Sequence, residues 1–156
     1  MKSNHLLYSE ADDLVIVRIE GTGTWIESKA FLEFSKQKIE EDKKIAIDLS
    51  SCKLLDSTFL GTLAYLALKK GKIEIFKPPP EVKRAIKTLG LEKIIKEIEI
   101  PEEIGEKKEI KGRKLSKREQ AEVILMAHKS LVKVDSENLP EFQDLIEMME
   151  KEVEKR

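Results

Sequence analysis

The segment IAIDLSSCKLLDSTFLGTLAYLALKKG, residues 45–71, constrains the fold more than any other part of the chain. It opens with a nearly continuous apolar run over residues 45–49, the pattern of a strand that is covered on both faces. From Thr58 to Lys70, apolar residues recur at helical spacing, and the glycine that follows favours the left-handed end of a helix. The segment therefore predicts a strand that leads into a helix, with Asp56 and Ser57 at the joint.

Two interpretations of this joint follow from helix chemistry. The first turn of a helix has unpaired backbone N–H groups and a partial positive charge, so Asp56 or Ser57 can cap it. The same features would hold a phosphate group electrostatically. A helix cap and a phosphate-bearing serine are both consistent with these two residues.

The flanking sequence predicts a mixed sheet with helices packed on it. Two short strands, Leu6–Ser9 and Leu14–Glu20, are joined by a polar turn and form a hairpin. Thr24 and Glu27 match a capping box and open a helix that runs to about Asp42. The predicted inward residues of this helix are Ile26, Ala30, Phe31, Phe34 and Ile39. The elements predicted after the central helix are a strand at Ile73–Phe76, a helix at Glu81–Leu89 that Gly90 ends, and a closing strand at Lys96–Ile100.

The last third of the chain predicts a separate helical extension. Residues 101–114 are charged, contain two glycines, and are typical of a linker. Ser116 with Glu119 matches a second capping box, and Pro140 suits the first turn of another helix. Residues 115–156 therefore predict a helical hairpin. Neither helix can bury its apolar stripe alone, so we expect the hairpin to dock on its own domain or to form a homodimer.

Two segments resemble the STAS family of bacterial anti-sigma-factor antagonists. IDLSSCKLLDSTFLGTLAYL resembles the family's central segment, in which a strand and a short loop lead to Asp-Ser-Ser-Gly-Leu-Gly at a helix start. PPPEVKRAIKTLGLEKIIKEIEI resembles its last helix and closing strand. The resemblance implies an α/β fold in which a β-hairpin precedes alternating helices and strands. It covers roughly residues 5–100, and we expect a STAS-like domain at 1–100, a linker at 101–114 and the hairpin at 115–156.

The resemblance also implies a partner and a phosphorylation site. The partner is an anti-sigma factor or a serine kinase of the ATP-binding histidine-kinase-like class, and it phosphorylates the Ser directly after the Asp. That residue is Ser57, which follows Asp56, while Thr58 matches the second hydroxyl residue. The family's next residue is Gly, but here Phe59 puts a large side chain where the partner would approach. Trp25 lies in a loop that neighbours this site in the family, so it lines the partner surface or covers the core.

A helical wheel of the central helix adds an independent observation. With its regular apolar positions turned inward, Phe59, Thr62 and Leu66 form a strip that points away from the sheet beside Ser57. This outer strip is either a docking surface or is covered by the C-terminal hairpin. A phosphate adds about two negative charges, and burying them beside an apolar strip opposes binding. We therefore expect phosphorylation of Ser57 to release the partner.

Charge and composition exclude several other classes of protein. The 29 basic and 30 acidic residues give a net charge of −1, which does not favour nucleic acid. No apolar run is long enough to span a membrane, and the acidic N-terminal region lacks the pattern of a signal peptide. Cys52 is the only cysteine, so no intrachain disulfide can form; it is a packed residue or a redox sensor. These features predict a cytoplasmic protein.

The sequence contains no motif that indicates an enzyme, a metal site or a cofactor. His5 and His128 lack metal-ligand spacing, and the GxG at Gly21–Gly23 lacks the remaining residues of a nucleotide-binding loop. Asp48 and Asp56 fit turn and cap positions better than a catalytic pair. The alternative function is a STAS-type scaffold or accessory subunit, such as that of a transporter, that is not phosphorylated and assembles through its hairpin. A small hydrolase or nucleotide-binding enzyme ranks last.

Overall fold

The computed structural model describes residues 4–71, 73–99 and 105–155, which form a seven-stranded sheet and five α-helices. In chain order the elements are β1 (His5–Glu10), β2 (Leu14–Gly23), α1 (Trp25–Glu40), β3 (Lys44–Asp48), β4 (Cys52–Leu55), α2 (Ser57–Lys70), β5 (Ile73–Phe76), α3 (Pro80–Thr88), β6 (Lys96–Glu97), β7 (Lys108–Glu109), α4 (Lys117–Val134) and α5 (Leu139–Glu154). Short 3-10 turns precede β6 and α5.

The sheet is mixed, as the sequence predicts. Its strand order is β6-β5-β3-β2-β1-β7, with β1 antiparallel to β2 and with β2, β3, β5 and β6 parallel. β2 is long enough to pair twice. Residues 14–18 of β2 pair with β3, and residues 21–23 pair with β4. This second pairing brings the end of β4 beside the end of β2, where α1 and α2 both begin.

β3, at Lys44–Asp48, and the α2 helix that follows β4 confirm the central prediction. Ile45 and Ile47 are completely buried, and the buried side chains of the sheet and its helices form one core. α2 begins directly after Asp56 and ends at Gly71, which adopts a left-handed conformation with φ of 67°. Nine of its fourteen residues are buried, so the helix is covered on more than the side that faces the sheet.

The inward face of α1 differs from the predicted one. Phe31 and Ile39 are buried as expected, but Ile26 is 61% exposed. The buried stripe also contains Ser28, Leu32 and Ser35. Ile26 precedes Ser28 by two positions, about 200° around the helix, and therefore points away from the stripe. An assignment that followed apolar residues alone missed the two buried serines.

Three short strands also depart from the predicted boundaries. β4 lies where the sequence predicts a turn, and β7 lies within the predicted linker, where it pairs with residues 7–8 of β1. β6 has two residues, and the predicted end of that strand, Ile100, lies outside the described residues. Strands of two to four residues are too short to show a clear alternation of apolar and polar side chains.

The C-terminal helices form the predicted hairpin, and it docks on its own chain. Ser116 and Glu119 form the capping box of α4, and Pro140 lies in the first turn of α5. α4 packs against α2 and contacts α1. At the turn between α4 and α5, the Asn138 side-chain amide donates hydrogen bonds to the carbonyls of Leu89 and Leu131, at 3.0 and 2.8 Å. The division into a domain, a linker and an extension stays a prediction.

Candidate functional site

Asp56 joins the N-termini of two helices. One carboxylate oxygen accepts a hydrogen bond from the N–H of Phe59 at 2.8 Å, which caps α2. The other accepts from the N–H of Trp25 at 2.9 Å, at the first residue of α1. Its own N–H donates to the carbonyl of Gly23, at the end of β2. Asp56 is thus a helix cap, and it fixes the position of the residue that follows it.

Ser57 is the first residue of α2, and its hydroxyl contacts a residue 71 positions away. Ser57 Oγ lies 2.7 Å from Nε2 of His128, on α4. Nδ1 of the same ring lies 2.7 Å from the carbonyl oxygen of Ile124, which can only accept a hydrogen bond. In the neutral ring Nδ1 therefore carries the proton, and Ser57 donates its hydroxyl proton to Nε2.

His128 is the partner of Ser57 that the sequence did not predict. The sequence places it on the apolar face of α4, and it is indeed buried, with 1% of its surface exposed. Burial lowers the pKa of His128 below the usual 6.5, although the Ile124 carbonyl and the charges of Asp56 and Glu141 act in the opposite direction. A polar residue among apolar ones on a helix face is the sequence signal that could have indicated a specific hydrogen-bond partner.

The outer strip of α2 is covered in this structure. Phe59 and Thr62 are fully buried and Leu66 is 1% exposed. The Phe59 ring packs on the Phe31 ring of α1, with centroids 4.9 Å apart, so it does not obstruct Ser57. Gly23 makes this placement feasible, because a Cβ there would lie 3.1 Å from the Phe59 ring. The strip is therefore covered, but α1 covers Phe59, whereas the close contact of α2 with the hairpin is at Gly61.

Other predicted partner residues divide between the surface and the interior. Thr58 is buried, whereas Trp25 is 38% exposed. Ile26 and Leu54 are also exposed. Ile26 lies in the first turn of α1, and Leu54 lies near the end of β4. We name these three exposed apolar residues the rim cluster, because Leu54 precedes Asp56 by two residues and Trp25, which Ile26 follows, donates its N–H to Asp56. The sequence predicted Trp25 as a candidate partner residue, but it did not predict Ile26 or Leu54.

A groove of about 350 Å³ opens beside Ser57. Leu55, Leu60 and Leu89 form its apolar wall, and Phe142 of α5 closes one side. Arg84 of α3 and Glu141 of α5 supply its charges. The N-terminus of α2 and Arg84 favour an anion in this groove, whereas Glu141 opposes it.

The other candidate features are a cysteine, possible metal ligands and possible membrane spans. Cys52 is buried, and burial raises the pKa of its thiol to about 11, as expected of a packed residue. Within residues 4–71, 73–99 and 105–155, no group of three or more His, Cys, Asp or Glu side chains could hold a metal ion. Among the described helices, none is both long and apolar enough to cross a membrane.

Solved structures with a similar fold are anti-sigma factor antagonists. A candidate anti-sigma factor antagonist from Thermotoga maritima aligns with a TM-score of 0.53 at 20% identity, over 60% of this chain and 85% of that protein. SpoIIAA in its unphosphorylated form aligns with a TM-score of 0.52 at 16% identity, over 62% and 89%. An anti-sigma factor antagonist from Mycobacterium paratuberculosis gives 0.53 at 23%, over 60% and 83%. These alignments establish a shared fold.

Comparison with protein families identifies the domain. A search of curated proteins gives no match for the chain. Residues 6–97 match the family described as Mlab, STAS domain. The matched segment is more than half of the chain, reaches from β1 to β6, and contains both Asp56 and Ser57. The chain therefore belongs to the STAS domain family.

Proposed function

We propose that this protein is a regulatory protein of the anti-sigma-factor-antagonist kind, which acts by binding and not by catalysis. Its partner is an anti-sigma factor or a serine kinase of the ATP-binding histidine-kinase-like class. Phosphorylation of Ser57 switches the interaction off. The observation that supports this proposal best is the position of Ser57, half-buried at the first residue of α2 and on the wall of an open groove.

The surroundings of Ser57 support a switch that depends on charge. The rim cluster offers an apolar surface that a partner can bury, and Trp25 is held there through its hydrogen bond to Asp56. Two added negative charges on Ser57 would have to lose water when the partner closes over them, at a cost of several kcal/mol if they find no cation. In the free protein, the same phosphate can stay hydrated in the groove beside Arg84.

A capture experiment with matched variants tests this function. Full-length wild-type, Ser57→Ala and Ser57→Asp proteins are used as baits in native cytoplasm, captured proteins are identified by mass spectrometry, and phosphate is mapped on the recovered wild type. We expect wild type and Ser57→Ala to capture an ATP-binding kinase-like protein and Ser57→Asp to lose it. Ser50→Asp is the control, because Ser50 is exposed and its variant adds the same charge away from the groove. Equal capture by all four baits, with no phosphate on Ser57, would refute the switch.

A STAS-type scaffold that is not phosphorylated is the second candidate, and two observations favour it. The Ser57 hydroxyl is already donated to His128, as in a purely structural contact. The hairpin also exposes Met148 of α5, whose side chain is 59% accessible and could contact another subunit. In this case Met148→Glu would reduce assembly measured by light scattering, whereas Ser57→Asp would leave partner affinity unchanged.

A further inference from the structure

The contact between α2 and α4 is unusually close. A Cβ added at Gly61 would collide with the carbonyl of Ala127 and would lie 2.7 Å from the Ala127 Cβ. Ala127 is itself fully buried. The outer face of α2 therefore accepts a helix only if that helix presents a small residue opposite Gly61.

Two hydroxyl groups that are buried on α2 and α4 are satisfied within their own helices. Thr62 Oγ1 donates to the carbonyl of Thr58 at 2.8 Å, on α2. Ser130 Oγ donates to the carbonyl of Met126 at 2.9 Å, on α4. These bonds survive when the two helices separate. Separation thus exposes polar groups to water without breaking their existing bonds, which lowers its cost relative to opening an apolar core.

The bonds that do cross from the hairpin to the domain are ones that water can replace. Ser57 and His128 share one hydrogen bond, and the Asn138 amide donates to the Leu89 carbonyl. An ion pair at 3.2 Å joins Lys93 to Asp135. The Lys93 side chain is 59% exposed, so this pair adds little to stability.

The chain before the hairpin has little regular structure, and it contacts the domain through the Ile110 N–H, which donates to the Leu6 carbonyl, and through Arg113, which pairs with Glu33 of α1. β7 pairs with β1 through only two residues, and residues 110–116 contain neither helix nor strand. α4 and α5 contact one another along their length, and the Phe142 ring packs on His128 with centroids 4.8 Å apart. The hairpin can therefore leave α2 as a pair of helices, and its departure exposes Leu131 and Phe142, which are buried in the common core.

We propose that the outer face of α2 is a helix-docking surface, and that the C-terminal hairpin is its resident occupant. A partner that presents a helix with Gly, Ala or Ser opposite Gly61 takes the place of α4. While the hairpin is docked, Ala127 covers Gly61 and the Ser57 hydroxyl is held by His128. The inference rests on the proposed function, since it describes how access to the same surface is controlled.

The first test measures exchange of the hairpin without any knowledge of the natural partner. Ala127→Glu in the full chain puts a carboxylate into the closest part of the contact and should release α4 while leaving the face of α2 intact. The probe is a fluorescent peptide of residues 115–155, and its binding is followed by anisotropy. We expect Ala127→Glu to bind the peptide at least about tenfold more tightly than wild type, because a tethered occupant competes at an effective concentration on the order of millimolar.

Matched controls separate docking from unspecific binding. Gln143→Glu introduces the same charge at an exposed position of α5 and should behave as wild type does. A peptide that carries Ala127→Glu should bind neither chain. Gly61→Ala should release α4 but should also fail to bind the peptide, because the added methyl group lies on the docking face itself.

Two results would overturn the inference. One is a folded Ala127→Glu chain, with free α4 amides, that does not bind the peptide. The other comes from native-state hydrogen exchange of the wild type, which needs no variant to fold. If the amides of α4 open only with those of β2 and β3, the hairpin is a fixed part of the domain. Either result leaves the Ser57 capture experiment unaffected, so failure of this inference is distinct from failure of the proposed function.

Discussion

The sheet and the C-terminal hairpin are held in the molecule by different kinds of contact. β3 contributes large apolar side chains such as Ile45 and Ile47, which are completely buried between the sheet and its helices. α4 buries a mixture of small or polar residues and larger apolar ones, in which Ala121, Ala127, His128 and Ser130 accompany Val123 and Leu131. Burial of apolar area contributes about 25 cal/mol per Å², so small side chains gain less from contact than large ones. We infer that the sheet opens only with global unfolding, whereas the hairpin separates at lower cost.

α2 is the element where the two kinds of contact meet. Its inner side carries Leu60, Leu63 and Ala67, which pack into the common core. Its other side carries Gly61, which Ala127 of α4 approaches closely, and Ser57, which bonds to His128. One helix thus belongs to a stable core on one side and to a separable interface on the other.

The largest loss of stability should come from a substitution in the core of the sheet. Ile47→Ala removes three buried carbon atoms from β3 and should lower the free energy of unfolding by about 2–5 kcal/mol. Urea denaturation followed by circular dichroism measures this loss. Ile26→Ala is the matched control, because Ile26 is 61% exposed and should change stability by less than about 0.5 kcal/mol. Similar losses in both variants would contradict the assignment of the core to β3.

A smaller loss of stability, confined to the hairpin, should follow from Asn138→Ala. The variant removes the donor to the Leu89 and Leu131 carbonyls, and an unpaired buried polar group costs about 1–3 kcal/mol. Hydrogen exchange should show faster exchange of α4 and α5 amides with little change in β2 and β3.

The control for this variant is Gln143→Ala. Gln143 is exposed, and its bond to Glu147 is long, at 3.4 Å, so its loss should not alter the exchange of α4. If Asn138→Ala accelerated exchange throughout the sheet as well, the hairpin and the sheet would unfold as one unit, and the contrast between them would be wrong.

The parts predicted from the sequence are those that depend on local pattern. The apolar run at residues 45–49, the cap at Asp56 and the capping box at Ser116 each act over a few residues, and all three are present in the structure. The Ser57–His128 hydrogen bond could not be predicted in this way. Its partners are 71 residues apart, and their distance depends on how α4 packs on α2.

Gly71 and Gly61 show the same limit of prediction from local sequence. Gly71 ends α2 through its backbone conformation, a local effect that the sequence predicted. Gly61, in the middle of the same helix, is unfavourable for helix formation by about 1 kcal/mol relative to Ala. A glycine is needed at this position because Ala127 approaches closely from another helix. A glycine inside a strongly apolar helix is therefore a signal of close helix packing, although it does not identify the second helix.

The smallest effect we predict is a pH dependence that belongs to the hairpin side alone. Burial lowers the pKa of His128 in the folded protein below 6.5, so the folded state binds fewer protons than the unfolded state as pH falls past that value. Stability should thus decrease below about pH 6.5 and level off once the pH is below the folded pKa. Urea denaturation between pH 5 and 8 measures this, and His128→Gln should lose the step. His5→Gln should keep it, since His5 lies on β1 with a side chain that is 43% exposed. A wild-type step that persists in His128→Gln would show that other groups cause it and that the Ser57–His128 contact is not coupled to protonation.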